Sequence, residues 1–217
     1  NLSIDKNKII EDVLHGFGTP IDSAVPIALG GTPAVMGEVA ENRARAAELL
    51  DKAGYPLNQA TGLREKSGRP LGFSISTADV AELRSASEII KSDLENMGVT
   101  VSIKVFDVGM LNQNIIRPRE YEALLFGQVI RNASDLFAFW HSSQRNDPGL
   151  NVSVYTNTKV DKILEEIISI SDPNQIPQKI SDFEQEIKND SPAILLYSPH
   201  FVYMQSGNVQ NVLLERI

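Results

Sequence analysis

The residue types that most often carry catalysis do not form a recognisable site in this sequence. The three histidines, His15, His141 and His200, stand far apart, and no carboxylates lie beside them at metal-ligand spacing. Ser3 and Lys6 have the spacing of an S-x-x-K pair, but they stand at the start of a predicted helix, which favours a chance match. P-loop, dinucleotide-binding, HExxH and GxSxG patterns are absent. The residues therefore predict no enzyme, no cofactor and no metal site.

Composition narrows the function classes further. The chain has 217 residues, of which 42% are hydrophobic and 22% charged, so it can bury a core without covalent staples. It has no cysteine, which excludes thiolate nucleophiles, disulfides and cysteine-ligated metals. The net charge of −8 disfavours contact with phosphate backbones, so we expect no nucleic-acid partner.

The segment from residue 127 to residue 151 has the residue types of a ligand surface. A predicted buried strand ends there in Gly127, where the backbone can approach another group closely. The polar residues that follow are Gln128, Arg131, Asn132 and Asp135, and the aromatic ones are Phe137, Phe139 and Trp140. Ligands of open α/β sheets bind at the carboxyl ends of strands, which makes this segment a candidate site. The alternative is that the aromatic residues are core and the polar ones cap a helix starting at Asp135.

The remaining elements predict an α/β or α+β fold, with a mixed sheet flanked by helices. Apolar residues at steps of three and four predict helices over residues 5–16, 42–53, 79–97, 160–168 and 176–187. Alternating or continuous apolar runs predict strands over 71–76, 99–105, 121–127, 193–198 and 201–205, the last two split by Pro199. We expect residues 121–127 to form a central strand buried on both faces. Residues 17–37, rich in Gly and Pro, predict an extended surface segment.

Several blocks of the sequence resemble the family 5 extracellular solute-binding proteins, the peptide-, oligopeptide- and nickel-binding components of ABC importers. The blocks are residues 4–20, 46–55, 89–99, 126–143 and 155–161, which read IDKNKIIEDVLHGFGTP, AAELLDKAGY, IIKSDLENMGV, FGQVIRNASDLFAFWHSS and YTNTKVD. They occur in the order found in the family and cover nearly the whole chain. The resemblance implies a lobe of the type II periplasmic-binding-protein fold, like the C-terminal domain of dipeptide-binding proteins.

The resemblance also implies a place in a larger molecule. Residues 1–217 would be a single lobe of a two-lobed protein whose N-terminal lobe and signal sequence are missing here. The lobes would close on a ligand, a small peptide or another small molecule, and pass it to ABC permease subunits in the membrane. We expect an extracytoplasmic location, either the periplasm or a lipid-anchored position at the outer face of the cell membrane.

In this family the ligand contacts fall mostly in the loop that corresponds to the segment after Gly127. The resemblance therefore implies ligand binding by Gly127, Gln128, Val129, Arg131, Asn132, Asp135 and Trp140. Gln128 stands where the family usually has tryptophan, and residues 129–134 offer no counterpart of the aspartate that binds the peptide amine. Arg131 would instead favour a carboxylate.

Peptide is accordingly the first expectation for the ligand, and three alternatives stay open. The ligand could be a carboxylate, a sugar or a metal chelate instead of a peptide. The chain could also be a domain that docks on a protein partner through the aromatic loop. Least expected is part of an enzyme whose site lies in the missing half.

Overall fold

Helices and short strands alternate along the chain in the computed structural model, which describes residues 1–32, 34, 37–204, 206 and 208. The helices are α1 (Lys6–Asp12), α2 (Val39–Lys52), α3 (Ala81–Glu95), α4 (Val108–Met110), α5 (Ala133–Trp140), α6 (Thr158–Ser169) and α7 (Ile176–Asp190). The strands are β1 (Gly18–Pro20), β2 (Glu65–Lys66), β3 (Arg69–Pro70), β4 (Gly72–Ala78), β5 (Thr100–Phe106), β6 (Ala123–Leu124) and β7 (Tyr197–Pro199). Single helical turns lie at Ile27–Leu29, Leu111–Ile116, Ser142–Gln144 and Pro173–Gln175. This order confirms the predicted α/β class. Of the described helices, none has the length and apolar character needed to span a bilayer.

A three-stranded parallel sheet in the order β5-β4-β6 organises the first part of the chain. β4 pairs with β5 along its whole length, from Gly72 opposite Thr100 to Ala78 opposite Phe106. It pairs with β6 only through Ile75 and Ser76. Because all three strands are parallel, their carboxyl ends lie at one edge of the sheet.

Helix α3 connects β4 to β5, and its apolar stripe explains its position. Ala86 and Ile90 are buried at helical spacing, and Gly98 ends the turn with a φ of 81°. A Cβ at Gly98 would lie 2.9 Å from the carbonyl oxygen of Gly62, so only glycine fits there. The predicted helix over 79–97 and the strand after it are confirmed with boundaries shifted by one or two residues.

The prediction of a buried central strand over residues 121–127 is wrong. Only Ala123 and Leu124 pair, and β6 is an edge strand whose second side has no neighbour within the described residues. Leu125 remains half-buried and residues 126–129 are exposed, before Ile130 packs against the helix cluster. A continuous apolar run here marks an open sheet edge and not a strand covered on both faces.

Two hydrophobic clusters stabilise the fold. The sheet cluster joins α1, α3 and the sheet through the buried residues Ile4, Ile9, Ile75, Ala86, Ile90, Val99 and Val101. The helix cluster joins α5, α6 and α7 through Ala24, Val25, Leu136, Trp140, Val160, Ile163, Leu164, Ile167, Ile180, Phe183 and Ile187. The candidate loop runs between them, since it leaves β6 and enters α5.

The predicted surface segment at residues 17–37 is only partly on the surface. β1 pairs antiparallel with β7, and Ser23, Ala24 and Val25 are buried against the helix cluster. Pro33, Val35 and Met36 lie outside the described residues. The Gly/Pro-rich composition correctly indicated irregular chain, but it did not reveal that two apolar residues anchor that chain in the core.

The prediction of two strands split by Pro199 also needs correction. Pro199 lies within β7, opposite Gly18, because an edge position tolerates a residue that lacks a backbone N–H. Residues 201–204 form no strand and are exposed, and Gln205 lies outside the described residues. The predicted second strand is therefore absent over 201–204.

Candidate functional site

The residues that follow the three parallel strands form what we call the carboxyl edge of the sheet. It consists of residues 79–80 after β4, residues 107–110 after β5 and residues 125–131 after β6. Large apolar side chains from all three strand ends are exposed to solvent at this edge: Val80, Val108, Met110, Phe126 and Val129. Val129 is the most open of them, at 70% exposure. Exposed apolar side chains gathered at one place are typical of binding sites.

The main chain beyond β6 is open as well. The Leu125 N–H donates to the carbonyl oxygen of Ser76 at 2.9 Å, and the Leu125 carbonyl accepts from Thr77 Oγ1 at 3.2 Å. Within the part of the chain that the structure describes, the peptide groups of residues 127–130 form no further backbone hydrogen bond. A Cβ added at Gly127 would meet no atom within 4 Å. Residues 127–130 therefore present free donors and acceptors to an incoming extended chain.

Local hydrogen bonds fix the end of this loop at the start of α5. The Asn132 side chain accepts from the Ser134 N–H at 2.9 Å, and Asp135 Oδ2 accepts from the N–H groups of Arg131 at 2.7 Å and Asn132 at 3.3 Å. These bonds form a capping box, in which Asn132 is the N-cap and Asp135 is the third residue after it. The helix therefore begins at Ala133. The expectation that the helix starts at Asp135 is wrong by two residues.

The other carboxylates near the edge also have partners. Asp107 Oδ1 accepts from the Gly109 N–H at 2.8 Å, and Asp79 pairs with Arg84 at 3.1 Å. Glu82 Oε1 accepts from the Tyr197 hydroxyl at 2.9 Å. Burial, followed by this hydrogen bond, raises the pKa of the Tyr197 hydroxyl, so it stays a donor at neutral pH. The acidic side chains at this edge thus support the local fold.

Trp140 does not share the exposed loop with the other predicted site residues. It is 3% exposed, and its ring makes edge contacts with Tyr155 at 6.5 Å and Phe183 at 6.4 Å between centroids. Its placement corrects the prediction of a ligand contact, because the helix cluster surrounds the indole. The structure brings together Gly127, Gln128, Val129, Arg131, Asn132 and Asp135, and it separates Trp140 from them.

His141 has a structural environment in this fold. Its ring stacks on Phe137 with centroids 4.1 Å apart, and Nδ1 accepts from the Ser143 N–H at 3.1 Å. Its Nε2 lies 3.5 Å from Glu165 and has no hydrogen-bond partner among the described atoms. In the described ranges, no group of three or more His, Asp or Glu side chains is arranged to hold a metal ion.

Sequence reasoning missed the contribution of β4 and β5 to this edge. Val108 and Met110 follow a predicted strand, and Val80 lies at the start of the predicted helix over 79–97. The sequence does not reveal which strands pair or that they run parallel. The available signal was the apolar character of each residue just past a strand end. Combined with a parallel sheet, that signal would have placed all of them beside residues 126–131.

Comparisons with known proteins agree on one family. The family of bacterial extracellular solute-binding proteins, family 5 Middle, matches residues 1–149. The oligopeptide-binding protein AppA of Bacillus subtilis is 24% identical over 207 residues, covering 91% of this chain and 37% of AppA. The nickel-binding periplasmic protein of Escherichia coli is 33% identical over 109 residues, which are 48% of this chain and 20% of that protein.

Solved structures share the fold. AppA in complex with a nonapeptide superposes with a TM-score of 0.78 at 22% identity, covering 91% of this chain and 40% of AppA. The Helicobacter pylori protein DppA in complex with the peptide STSA gives a TM-score of 0.75 at 20% identity, covering 92% of this chain and 37% of DppA. The chain thus spans less than half the length of these relatives. The family match over most of the chain and the shared fold show that this chain belongs to the family 5 bacterial extracellular solute-binding proteins.

Proposed function

We propose that this chain is one ligand-binding lobe of an extracytoplasmic substrate-binding protein that delivers peptides to an ABC importer. The observation that carries the proposal is that the main chain of residues 127–130, at the carboxyl edge of a parallel sheet, forms no backbone hydrogen bond with any residue that the structure describes. A peptide in extended conformation offers the complementary N–H and carbonyl groups along its whole length. The membership in a solute-binding family and the absence of catalytic motifs from the sequence support a role without a chemical step.

Recognition at this edge combines hydrogen bonds with apolar contacts. Because Gly127 has no side chain and open space around it, a peptide backbone can approach the loop closely there. Phe126 and Val129, with Val108 and Met110 across the edge, would cover apolar side chains of the ligand. Main-chain pairing is insensitive to sequence, so this edge would accept many peptides.

Closure would complete the site. The relatives are more than twice as long as this chain, which leaves length for a second lobe in the complete protein. A ligand that contacts both lobes only in the closed state shifts the balance toward that state, and permease subunits would recognise the closed form. The peptides in the AppA and DppA structures support peptide as the ligand class.

A metal chelate is the second candidate, favoured by the 33% identity to the nickel-binding protein over 109 residues. A chelate carries its own metal ligands, so the binding protein need not supply a cluster of three. Calorimetric titration of the complete protein with random peptide pools, sugars and nickel chelates separates the candidates. Binding of peptides alone supports the proposal, and binding of chelates alone, or of none of the three, contradicts it.

A further inference from the structure

We propose that Arg131 is the specificity-determining residue of this edge and binds a carboxylate of the ligand. This inference rests on the proposed function, because it assigns one polar contact to the peptide that pairs with residues 127–130. The carboxylate could be the C-terminus of the peptide or an acidic side chain within it, since both have the same chemistry.

The position of Arg131 is the first support. It directly follows the open main chain of residues 127–130, and its own N–H is held by Asp135 Oδ2 at 2.7 Å. The backbone at Arg131 is therefore fixed while its side chain is exposed. Among the described residues, the Arg131 guanidinium forms no ion pair and no hydrogen bond, although five donors are available on it.

The second support is that the neighbouring carboxylates already have hydrogen-bond or ion-pair partners. Asp79 pairs with Arg84, Asp107 accepts from the first N–H groups of α4, and Asp135 closes the capping box. None of these carboxylates is free to meet a peptide amine without breaking a contact that shapes the edge. The charged side chain at this edge that has no partner among the described residues is the Arg131 guanidinium. The edge therefore complements a negative group on the ligand.

The chemistry of the guanidinium defines the preferred group. Its planar fork matches a carboxylate with two parallel N–H···O bonds, a geometry that lysine cannot reproduce. A charge-assisted pair on a partly covered surface corresponds to about a 10- to 100-fold change in affinity. Closure of a second lobe would exclude water from the charge pair and so strengthen it. The change in affinity would then lie toward the upper end of that range.

The test uses the complete protein and two libraries of random pentapeptides, one made as free acids and one as C-terminal amides. Both libraries are offered together, and native mass spectrometry identifies the peptides retained. The wild-type protein should retain carboxylate-bearing peptides at least about 10-fold over neutral ones. Enrichment of free acids would assign the contact to the C-terminus, and enrichment of Asp or Glu at one position among the amides would assign it to a side chain.

Three variants make the test specific. Arg131→Ala should remove the preference while retention of neutral amides persists, and Arg131→Lys should restore only part of it. Arg69→Ala is the matched control, because Arg69 is also exposed and unpaired among the described residues but precedes β4 at the opposite end of the sheet. It should behave like wild type.

The outcomes distinguish failure of the proposed role of Arg131 from failure of the proposed peptide binding. Equal retention of carboxylate-bearing and neutral peptides by the wild-type protein, or an unchanged preference in Arg131→Ala, would overturn the role of Arg131 and leave peptide binding intact. Retention of no peptide at all would overturn the proposed function, and this inference with it. Unfolding curves of the variants should coincide with wild type, since the Arg131 side chain is exposed and forms no ion pair or hydrogen bond with the described residues.

Discussion

At the scale of single residues, the buried side-chain amide of Asn151 holds the connection between α5 and α6. Asn151 is fully buried, and its Nδ2 donates to the carbonyl oxygens of Trp140 at 3.3 Å, His141 at 3.2 Å and Tyr155 at 3.0 Å. Its Oδ1 accepts from Ser153 Oγ at 3.0 Å and from the Tyr155 N–H at 3.2 Å. One side chain therefore satisfies the main chain at both ends of the loop that follows α5.

Replacing Asn151 should be costly. Asn151→Ala would leave the carbonyl groups of two buried hydrogen bonds and one part-buried hydrogen bond without this donor, so we expect a loss of about 2–4 kcal/mol in the free energy of unfolding. Urea unfolding of the complete protein, followed by circular dichroism, measures the loss. Asn146→Ala on the exposed surface of the same loop is the control and should change stability by less than about 0.5 kcal/mol. Equal stability of the two variants would contradict the assigned role.

A second residue-scale prediction concerns pH. Hydrogen bonds from the hydroxyl of Ser74 at 2.6 Å and from its N–H at 2.8 Å lower the pKa of the Glu122 carboxyl from its usual 4.5. A carboxyl whose pKa is lower in the folded state stabilises the fold above pH 4.5, and that contribution disappears as the pH falls through the folded-state pKa. The ionised Glu122 thus supports the pairing of β4 near neutral pH.

The variant Glu122→Gln should therefore be less stable than wild type at pH 7, and the difference should shrink steadily below pH 4.5. Midpoints of urea unfolding across this range measure it. Glu120→Gln, which changes an exposed glutamate two residues away, should show no such trend. A difference between Glu122→Gln and wild type that is constant with pH would contradict the assignment.

At the scale of elements, residues 23–32 are held by a buried carboxylate on α7. Glu184 is 5% exposed and accepts hydrogen bonds from the Ser23 hydroxyl and, at 3.0 Å, from the Thr32 N–H. The loop between these residues is so tight that a Cβ at Gly31 would lie 1.8 Å from the carbonyl oxygen of Val25. This loop therefore packs tightly against the helix cluster, to which it contributes Ala24 and Val25.

Gly31→Ala should force the backbone of this loop apart and reduce stability by about 1–3 kcal/mol. Gly127→Ala is the matched control for unfolding, since a Cβ there meets no atom within 4 Å, and its effect should stay within about 0.5 kcal/mol. Thermal unfolding of both variants compares them directly. A neutral result for Gly31→Ala would mean that the loop does not pack as described.

The same scale shows how far sequence reasoning reaches. Periodicity predicted α3 and β5 well, because the apolar pattern follows burial along α3 and along β5 except at Val105, which is exposed. It failed for residues 121–127, because an apolar run does not reveal whether a strand has one neighbour or two. It predicted residues 127–151 as a candidate site from a strand end and from polar and aromatic residue types, and ligand binding there stays a prediction. It misplaced Trp140, because aromatic residues serve ligand surfaces and cores equally well, and only packing distinguishes them.

At the scale of the whole molecule, two clusters support one open edge. The sheet cluster fixes β4 and β5, and the helix cluster fixes α5. The loop of residues 127–130 connects the two and forms no backbone hydrogen bond within the described part of the chain. Within the main chain that we assign to the ligand, residues 127–129 are exposed, and Ile130 packs against the helix cluster and anchors them. A rigid support for an unpaired strand-like segment suits a receptor that binds extended chains of varied sequence.

Hydrogen–deuterium exchange on the complete protein, with and without a retained peptide, measures whether the ligand pairs with residues 127–130. The amides of residues 127–130 should exchange rapidly in the free protein, because they have no hydrogen-bond partner among the described residues. Peptide binding should slow them at least about 10-fold, as strand pairing protects amides. The loop held by Asn151 should exchange slowly in both states. A peptide that binds while residues 127–130 stay unprotected would show that the ligand lies elsewhere.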